Sequence, residues 1–235
     1  MQLLDPSARP LVGHRGASGE FPENTLLAFA RALEQGADAL ECDARISADG
    51  VPVIIHDPTL DRTTNGRGPV AALELASLRQ LDAGRGERVP TLAEALDAFP
   101  RTEFILEIKD RRAAEPARRV LADQRAARRV LVGAFERGAL RPFDIGFSRS
   151  ASQPETALFW AGSRLGLAPF RPRYRALTVP ERRGRLTVVD GRFVRTALRS
   201  RFPVHVWTVD DPADGQRLRA LGVSGIITNY PGRFR

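Results

Sequence analysis

From residue 11 to residue 228 the chain alternates short apolar, β-branched runs ending in polar residues with stretches of helical period. This alternation restricts the fold more than any other feature. The strand candidates are Leu11–His14, Ala39–Asp43, Phe104–Lys109, Val130–Phe135, Ile145–Ser148, Ala176–Val179, Val204–Val209 and Gly225–Thr228. Between them, Leu26, Phe29, Ala30 and Leu33 follow the i, i+3, i+4, i+7 rule of an apolar helix face, and Leu92, Leu96 and Phe99 form a similar stripe. A ninth run, Val51–His56, follows Ala44–Ser47 across Ala48-Asp49-Gly50. Parallel neighbours need a crossover of roughly a dozen residues, so this short Asp-Gly turn predicts an antiparallel hairpin that returns His56 toward Asp43. Eight parallel strands remain. Spread over 235 residues, they predict a single domain, residues 1–235, of the α/β class: a (β/α)8 TIM barrel with a small antiparallel hairpin excursion after strand two. Between 144 and 190, Pro169, Pro172 and Pro180 punctuate a loop-rich region.

Composition narrows the class. Hydrophobic residues make up 43% and charged residues 27%, which fits neither a disordered polyelectrolyte nor a membrane bundle. One cysteine allows no internal disulfide, and the start MQLLDPSARP lacks the order of a secretory signal, so a reducing cytoplasm is expected. The apolar stretch TALFWAGSRLGLAPF falls short of the roughly 20 residues that cross a bilayer and is interrupted by Arg164, so no transmembrane segment is expected. The net charge of +8 comes from 35 arginines and a single lysine set against 28 acids. The arginines fall as scattered pairs (Arg111 and Arg112, Arg118 and Arg119, Arg128 and Arg129, Arg182 and Arg183) without interleaved aromatics. They read as a solvated face, not as a nucleic-acid surface; peripheral contact with an anionic membrane stays open, and the oligomeric state is not legible. In such a chain the lone Lys109 suggests a role that needs a compact ammonium.

Side chains alternate faces along a strand, so Glu41 and Asp43 share one face and Glu107 and Lys109 share another. Three carboxylates aimed into one barrel mouth repel one another unless a cation sits between them or their pKa values rise. A divalent ion resolves this, and all-oxygen ligation by Glu41, Asp43 and Glu107 suits magnesium or calcium over zinc. Of the three histidines, His14 ends the first strand and His56 ends the returning hairpin; imidazole at one mouth serves as general base and general acid. His205 precedes Trp207 by two positions and reads as a packed interior residue, with Trp207 as a wall of the pocket.

The strings HRGASGEFPENT (14–25), ECDARISADGVPVIIHD (41–57), LDRTTNGRG, VPTLAEAL, LEIKD, VWTVDDP and GVSGIITNYP occur in this order along nearly the whole chain, with the match weakest between about 136 and 185. Together they resemble the glycerophosphodiester phosphodiesterase family. The resemblance implies a barrel whose divalent metal is held by Glu41, Asp43 and Glu107, with His14 and His56 as acid and base and Arg15 and Lys109 binding the phosphodiester oxygens. It implies a small-molecule glycerophosphodiester substrate, cleaved to glycerol 3-phosphate and an alcohol. The nucleophile is then either the substrate's own glycerol hydroxyl, through a cyclic phosphate, or a water. Three positions depart from the family pattern: Ala134, Ser224 and Asn229 stand where Ser, Asp and Asp are frequent. A lysophospholipase D-like enzyme would use the same groups, with Phe21, Phe143, Phe159, Trp160 and Phe170 as candidates for an apolar approach, although helix-to-barrel packing explains most of them. A non-catalytic phosphate-binding barrel is a third reading, opposed by the intact set of acids, histidines and lysine.

Overall fold

A computed structural model describes residues 1–169 and 172–234. The parallel strands are β1 (Leu11–His14), β2 (Ala39–Ile46), β4 (Glu103–Ile108), β5 (Val130–Gly133), β6 (Ser148–Arg149), β7 (Leu177–Pro180), β10 (Val204–Trp207) and β11 (Gly225–Thr228). The short β3 (Pro52–Ile54) runs antiparallel to β2, pairing Ala44 with Ile54 and Ile46 with Pro52, as the Asp-Gly turn predicts. The sheet order is β6-β5-β4-β2-β1-β11-β10-β7. A parallel bridge between Ser150 and Ala176, with the Ala151 N–H donating to the Ala176 carbonyl at 2.9 Å, joins the two ends into the predicted TIM barrel.

The helices are α1 (Leu26–Glu34), α2 (Leu75–Leu78), α3 (Leu92–Ala98), α4 (Ala114–Asp123), α5 (Arg137–Leu140), α6 (Gln153–Ser163), α7 (Gly191–Arg199) and α8 (Pro212–Ala220). Their starts are set by capping side chains. Thr91 with Glu94 and Ser152 with Glu155 form capping boxes, and Asp190 accepts from the first turn of α7. Strand alternation then divides the core. Leu40, Cys42, Phe104, Leu106 and Ile108 face outward and pack against the helices, while Val12, Ala39, Ile105, Leu131 and Ile227 fill the interior. The interior is plugged from the strands' N-terminal end by Leu3, whose N–H donates to Glu103 at 3.0 Å. His205 is fully buried and hydrogen-bonds the Leu3 carbonyl through Nε2 at 2.9 Å, with its pKa pulled down to about 4 by burial. It is the interior residue expected of it.

Two expectations need correction. The run Ile145–Ser148 is not the strand: Ile145 is 89% exposed, and β6 begins at Ser148. What fixes this edge is a buried charge. Arg149, 2% exposed, points outward to α6 and forks onto Glu155 at 2.9 and 3.0 Å while its Nε donates to Asp144 at 3.0 Å. Apolar periodicity carries no trace of such a pair. The proline-rich stretch also holds an additional antiparallel hairpin, β8 (Arg182–Arg183) and β9 (Leu186–Thr187), on top of the barrel. Of the candidate apolar-approach residues, Phe143 and Phe159 are wholly buried in helix packing and Phe21 is partly buried against the core; Phe170 lies outside the described residues. Among the described residues, no helix is long and apolar enough to cross a membrane.

Burial alone would raise the Glu155 pKa, but hydrogen bonds from Arg149 and Ser152 outweigh it and lower the value from 4.5 to about 2. A carboxylate depressed in the folded state contributes stability above its unfolded pKa and loses it as pH falls toward the folded one. Glu155→Gln should therefore cost about 3 kcal/mol near neutral pH. In thermal unfolding followed by circular dichroism, its gap from the parent should close as pH falls from 4.5 toward about 2. A gap independent of pH would show that the ion pair does not hold this edge.

Candidate active site

The strands' C-terminal ends open into a cavity of about 790 Å³ lined by His14, Arg15, Glu41, His56, Glu107, Lys109 and Trp207 among others. The predicted acids converge because of register. Asp43 on β2 pairs with Glu107 on β4, and His14 on β1 pairs with Glu41. One oxygen from each of Glu41, Asp43 and Glu107 lies within 4.8 Å of the others. Glu41 and Asp43 are buried, at 5% and 1% exposure. Burial, with Asp43 and Glu107 as like-charged neighbours, pushes the Glu41 carboxyl well above the usual carboxylate range, and burial raises Glu107 as well.

The cations are interleaved. Lys109 Nζ lies 3.0 Å from Glu107 and 3.3 Å from Asp43 Oδ1. Burial alone would lower the ammonium pKa, but Asp43 and Glu107 outweigh it and hold it up. Arg15 sits in the left-handed region at φ 54°, followed by Gly16 at φ 82°, where a Cβ would come within 2.5 Å of the Ala28 carbonyl carbon. This turn aims the Arg15 N–H at Glu41 (3.0 Å) and its guanidinium at Asp43 (3.1 Å) and Glu23 (3.0 Å).

The histidines are held from behind. Asn229 donates its amide and backbone N–H groups to Asp210, each at 2.8 Å, so its carbonyl faces His14 Nδ1 at 2.7 Å. That acceptor places the His14 proton on Nδ1 and leaves the Nε2 lone pair free, 3.9 Å from Glu41. Burial, and Arg15 secondarily, lowers the His14 pKa, which keeps the ring neutral near pH 7. The His56 Nδ1 lies 2.6 Å from Asp57, whose carboxyl is held far below its ordinary value by hydrogen bonds from Arg62 and His56. Arg62 also forks onto Glu23 at 2.7 and 2.8 Å, so Arg15-Glu23-Arg62-Asp57-His56 is a continuous chain of charged contacts around the rim.

Every sequence-predicted site residue is thus at one mouth, Trp207 included; its ring meets Phe135 edge-on at 6.0 Å. Sequence reasoning did not single out Asn24, Glu23, Asp57, Arg62 or Asp210, and it treated Asn229 only as a departure. Asn24 is 3% exposed, has φ 59°, and donates to Asp43 at 2.9 Å. Its place in the PENT segment and that of Asp57 in the HD pair were the available signals.

A barrel with acids, imidazoles and cations gathered at the C-terminal ends of its strands has the layout of a TIM-barrel enzyme. The model of the glycerophosphoryl diester phosphodiesterase family matches residues 14–233, and the chain belongs to that family. It is 31% identical over 242 residues to the glycerophosphodiester phosphodiesterase of Caldanaerobacter subterraneus subsp. tengcongensis, covering 94% of each chain. It is 33% identical over 244 residues to the probable glycerophosphodiester phosphodiesterase 2 of Mycobacterium tuberculosis, covering 100% of this chain and 92% of that one. Among solved structures it resembles a phosphodiesterase of Oleispira antarctica in complex with the product sn-glycerol-3-phosphate (TM-score 0.79, 27% identity, 96% and 94% coverage). It also resembles the glycerophosphodiester phosphodiesterase of Agrobacterium tumefaciens (TM-score 0.80, 28% identity, 96% and 98% coverage).

The acid cluster suits a hard divalent ion: all its donors are carboxylate oxygens, and buried Asp43 Oδ1 has no hydrogen-bond donor although Lys109 is near. Metal-free protein should behave accordingly. Because a raised folded-state carboxyl pKa lowers stability as pH climbs through it, Glu41→Gln should be at least as stable as the parent at pH 7. Magnesium or calcium at about 100 times its dissociation constant should stabilise the parent by about 2.7 kcal/mol. Asp43→Asn should lose most of that gain. A thermal-shift titration checks both; equal metal responses would exclude the cluster as the site.

Proposed function

We propose that this chain is a metal-dependent phosphodiesterase that hydrolyses glycerophosphodiesters to glycerol 3-phosphate and an alcohol. The observation that carries this reading is the convergence of Glu41, Asp43 and Glu107 within 4.8 Å beside His14, Arg15 and Lys109. Membership of the family supports it, as does the product bound to the Oleispira antarctica enzyme.

Glu41, Asp43 and Glu107 would hold one divalent cation, magnesium or calcium. Bound there, it supplies fixed positive charge against the phosphoryl oxygens. Lys109 and Arg15 add charge from the same rim, and the barrel wall, with Trp207 and Phe135, excludes water and strengthens these interactions. His14 accepts the proton of the attacking hydroxyl at Nε2, since Asn229 occupies Nδ1. His56, whose Nδ1 is held by the Asp57 carboxylate, gives a proton to the leaving alkoxide. The glycerol hydroxyl is the nucleophile if a cyclic glycerophosphate can be trapped in short incubations; its absence assigns the attack to water.

His14→Ala and His56→Ala should each lower kcat by roughly 10²-fold or more, measured as glycerol 3-phosphate released. A chelator should abolish wild-type activity, and magnesium or calcium should restore it. Turnover by a folded His14/His56 double alanine variant at the parental rate would end the proton-transfer assignment. Asn229→Ala should lower kcat less than His14→Ala, because it frees the ring without removing it.

A further inference from the structure

The mouth has two poles of opposite charge. Around the barrel, β7 lies four strands from β2 in either direction, through β4, β5 and β6 or through β1, β11 and β10. The hairpin that follows β7 therefore stands across the cavity from the acid cluster. Its two-residue turn is Gly184-Arg185, with Gly184 at φ 58°, a position that favours glycine in a tight hairpin.

The hairpin is anchored on several sides. Arg217 pairs with Glu181 at 3.0 Å, the Val188 N–H donates to the Glu181 carbonyl at 2.9 Å, and Trp160 Nε1 donates to the Thr187 carbonyl at 3.2 Å. With its side-chain amide turned so that the oxygen faces the hairpin, Gln153 at the start of α6 accepts from Arg183. Arg182 and Arg183 both line the cavity, beside Trp160, Leu186 and Trp207. Among the described residues neither arginine has a carboxylate partner, and the only acids lining the cavity are Glu41 and Glu107 at the opposite pole.

We infer that the alcohol of the substrate carries a second phosphate group, received by Arg182 and Arg183; this rests on the phosphodiesterase reading above. With the scissile phosphodiester at the Lys109 and Arg15 pole, the alcohol extends across the mouth to the hairpin. An alcohol bearing a quaternary ammonium meets two guanidinium groups there and no carboxylate, which repels it. A phosphate meets two exposed guanidinium groups, planar forks suited to two of its oxygens, beside Trp160, Leu186 and Trp207.

The test compares kcat/KM, with magnesium or calcium present, for bis(glycerophospho)glycerol, glycerophosphoglycerol, glycerophosphocholine and a long-chain lysophosphatidylcholine. Bis(glycerophospho)glycerol should exceed glycerophosphocholine by about tenfold or more at low salt, and the preference should shrink in about 0.5 M salt. The Arg182→Gln/Arg183→Gln double variant should lose the preference through KM and not through kcat. Equal or better turnover of glycerophosphocholine or of the lysophospholipid, or a preference that survives in the variant, would overturn the inference. If none of the four is hydrolysed, it is the phosphodiesterase reading that fails. Calorimetric binding of the same compounds then decides the inference, supported by tighter binding of bis(glycerophospho)glycerol and overturned by equal binding.

Discussion

The mutual repulsion of three carboxylates in a poorly solvated rim is the constraint from which the rest of the site follows. Glu41, Asp43 and Glu107 are brought together by strand register, and burial makes each negative charge costly. The compensation is local and incomplete. Asp43 receives Arg15, Asn24 and Lys109, and Glu107 receives Lys109, but Glu41 has one backbone N–H and an imidazole 3.9 Å away. Three acids and two bases leave one negative charge. A dication would reverse the sign, and a phosphodiester monoanion would then complete the balance, so metal and substrate each make the other's binding more favourable.

The scaffold meets this constraint with loops, not with the strands alone. The segment after β1 turns through Arg15 and Gly16 in the left-handed region and again through Asn24. These turns cost backbone strain at the two non-glycine positions, and both positions contact the acids. The β2–β3 hairpin brings His56 back to the same rim. Glu23, between Arg15 and Arg62, ties the two excursions together, so His14 and His56 keep their separation although one ends β1 and the other follows β3.

How much of this was legible depends on the range of the interaction. Alternation along a strand placed Glu41 with Asp43 and Glu107 with Lys109, and a three-residue turn returned His56; each needs only neighbours in sequence. The amide that orients His14 lies 215 residues away, and Asp210 fixes that amide from a third element. No local pattern records such a relay, so Asn229 could be seen only as an irregular residue. The β6 edge failed for a related reason. Its run opens on an exposed Ile145, and the position is held by Arg149 on Glu155, a buried pair that reads in sequence as surface charge. The second hairpin was hidden among prolines because its strands are two residues long.

The contrast between 35 arginines and one lysine acquires a physical meaning in this structure. Arginine forks are used where several acceptors lie together: Arg129 donates to the carbonyls of Leu96, Phe99 and Thr102 around the C-terminal end of α3, and Arg149 grips Glu155 with two nitrogens. Lys109 does something a fork cannot. At 11% side-chain exposure its single nitrogen sits 3.0 and 3.3 Å from carboxylates on two different strands. A guanidinium there would engage both oxygens of one acid and cover the oxygen edge needed to bind a cation. An ammonium neutralises charge from the side and leaves those edges open, which is the requirement that the proposed metal and phosphate site would impose.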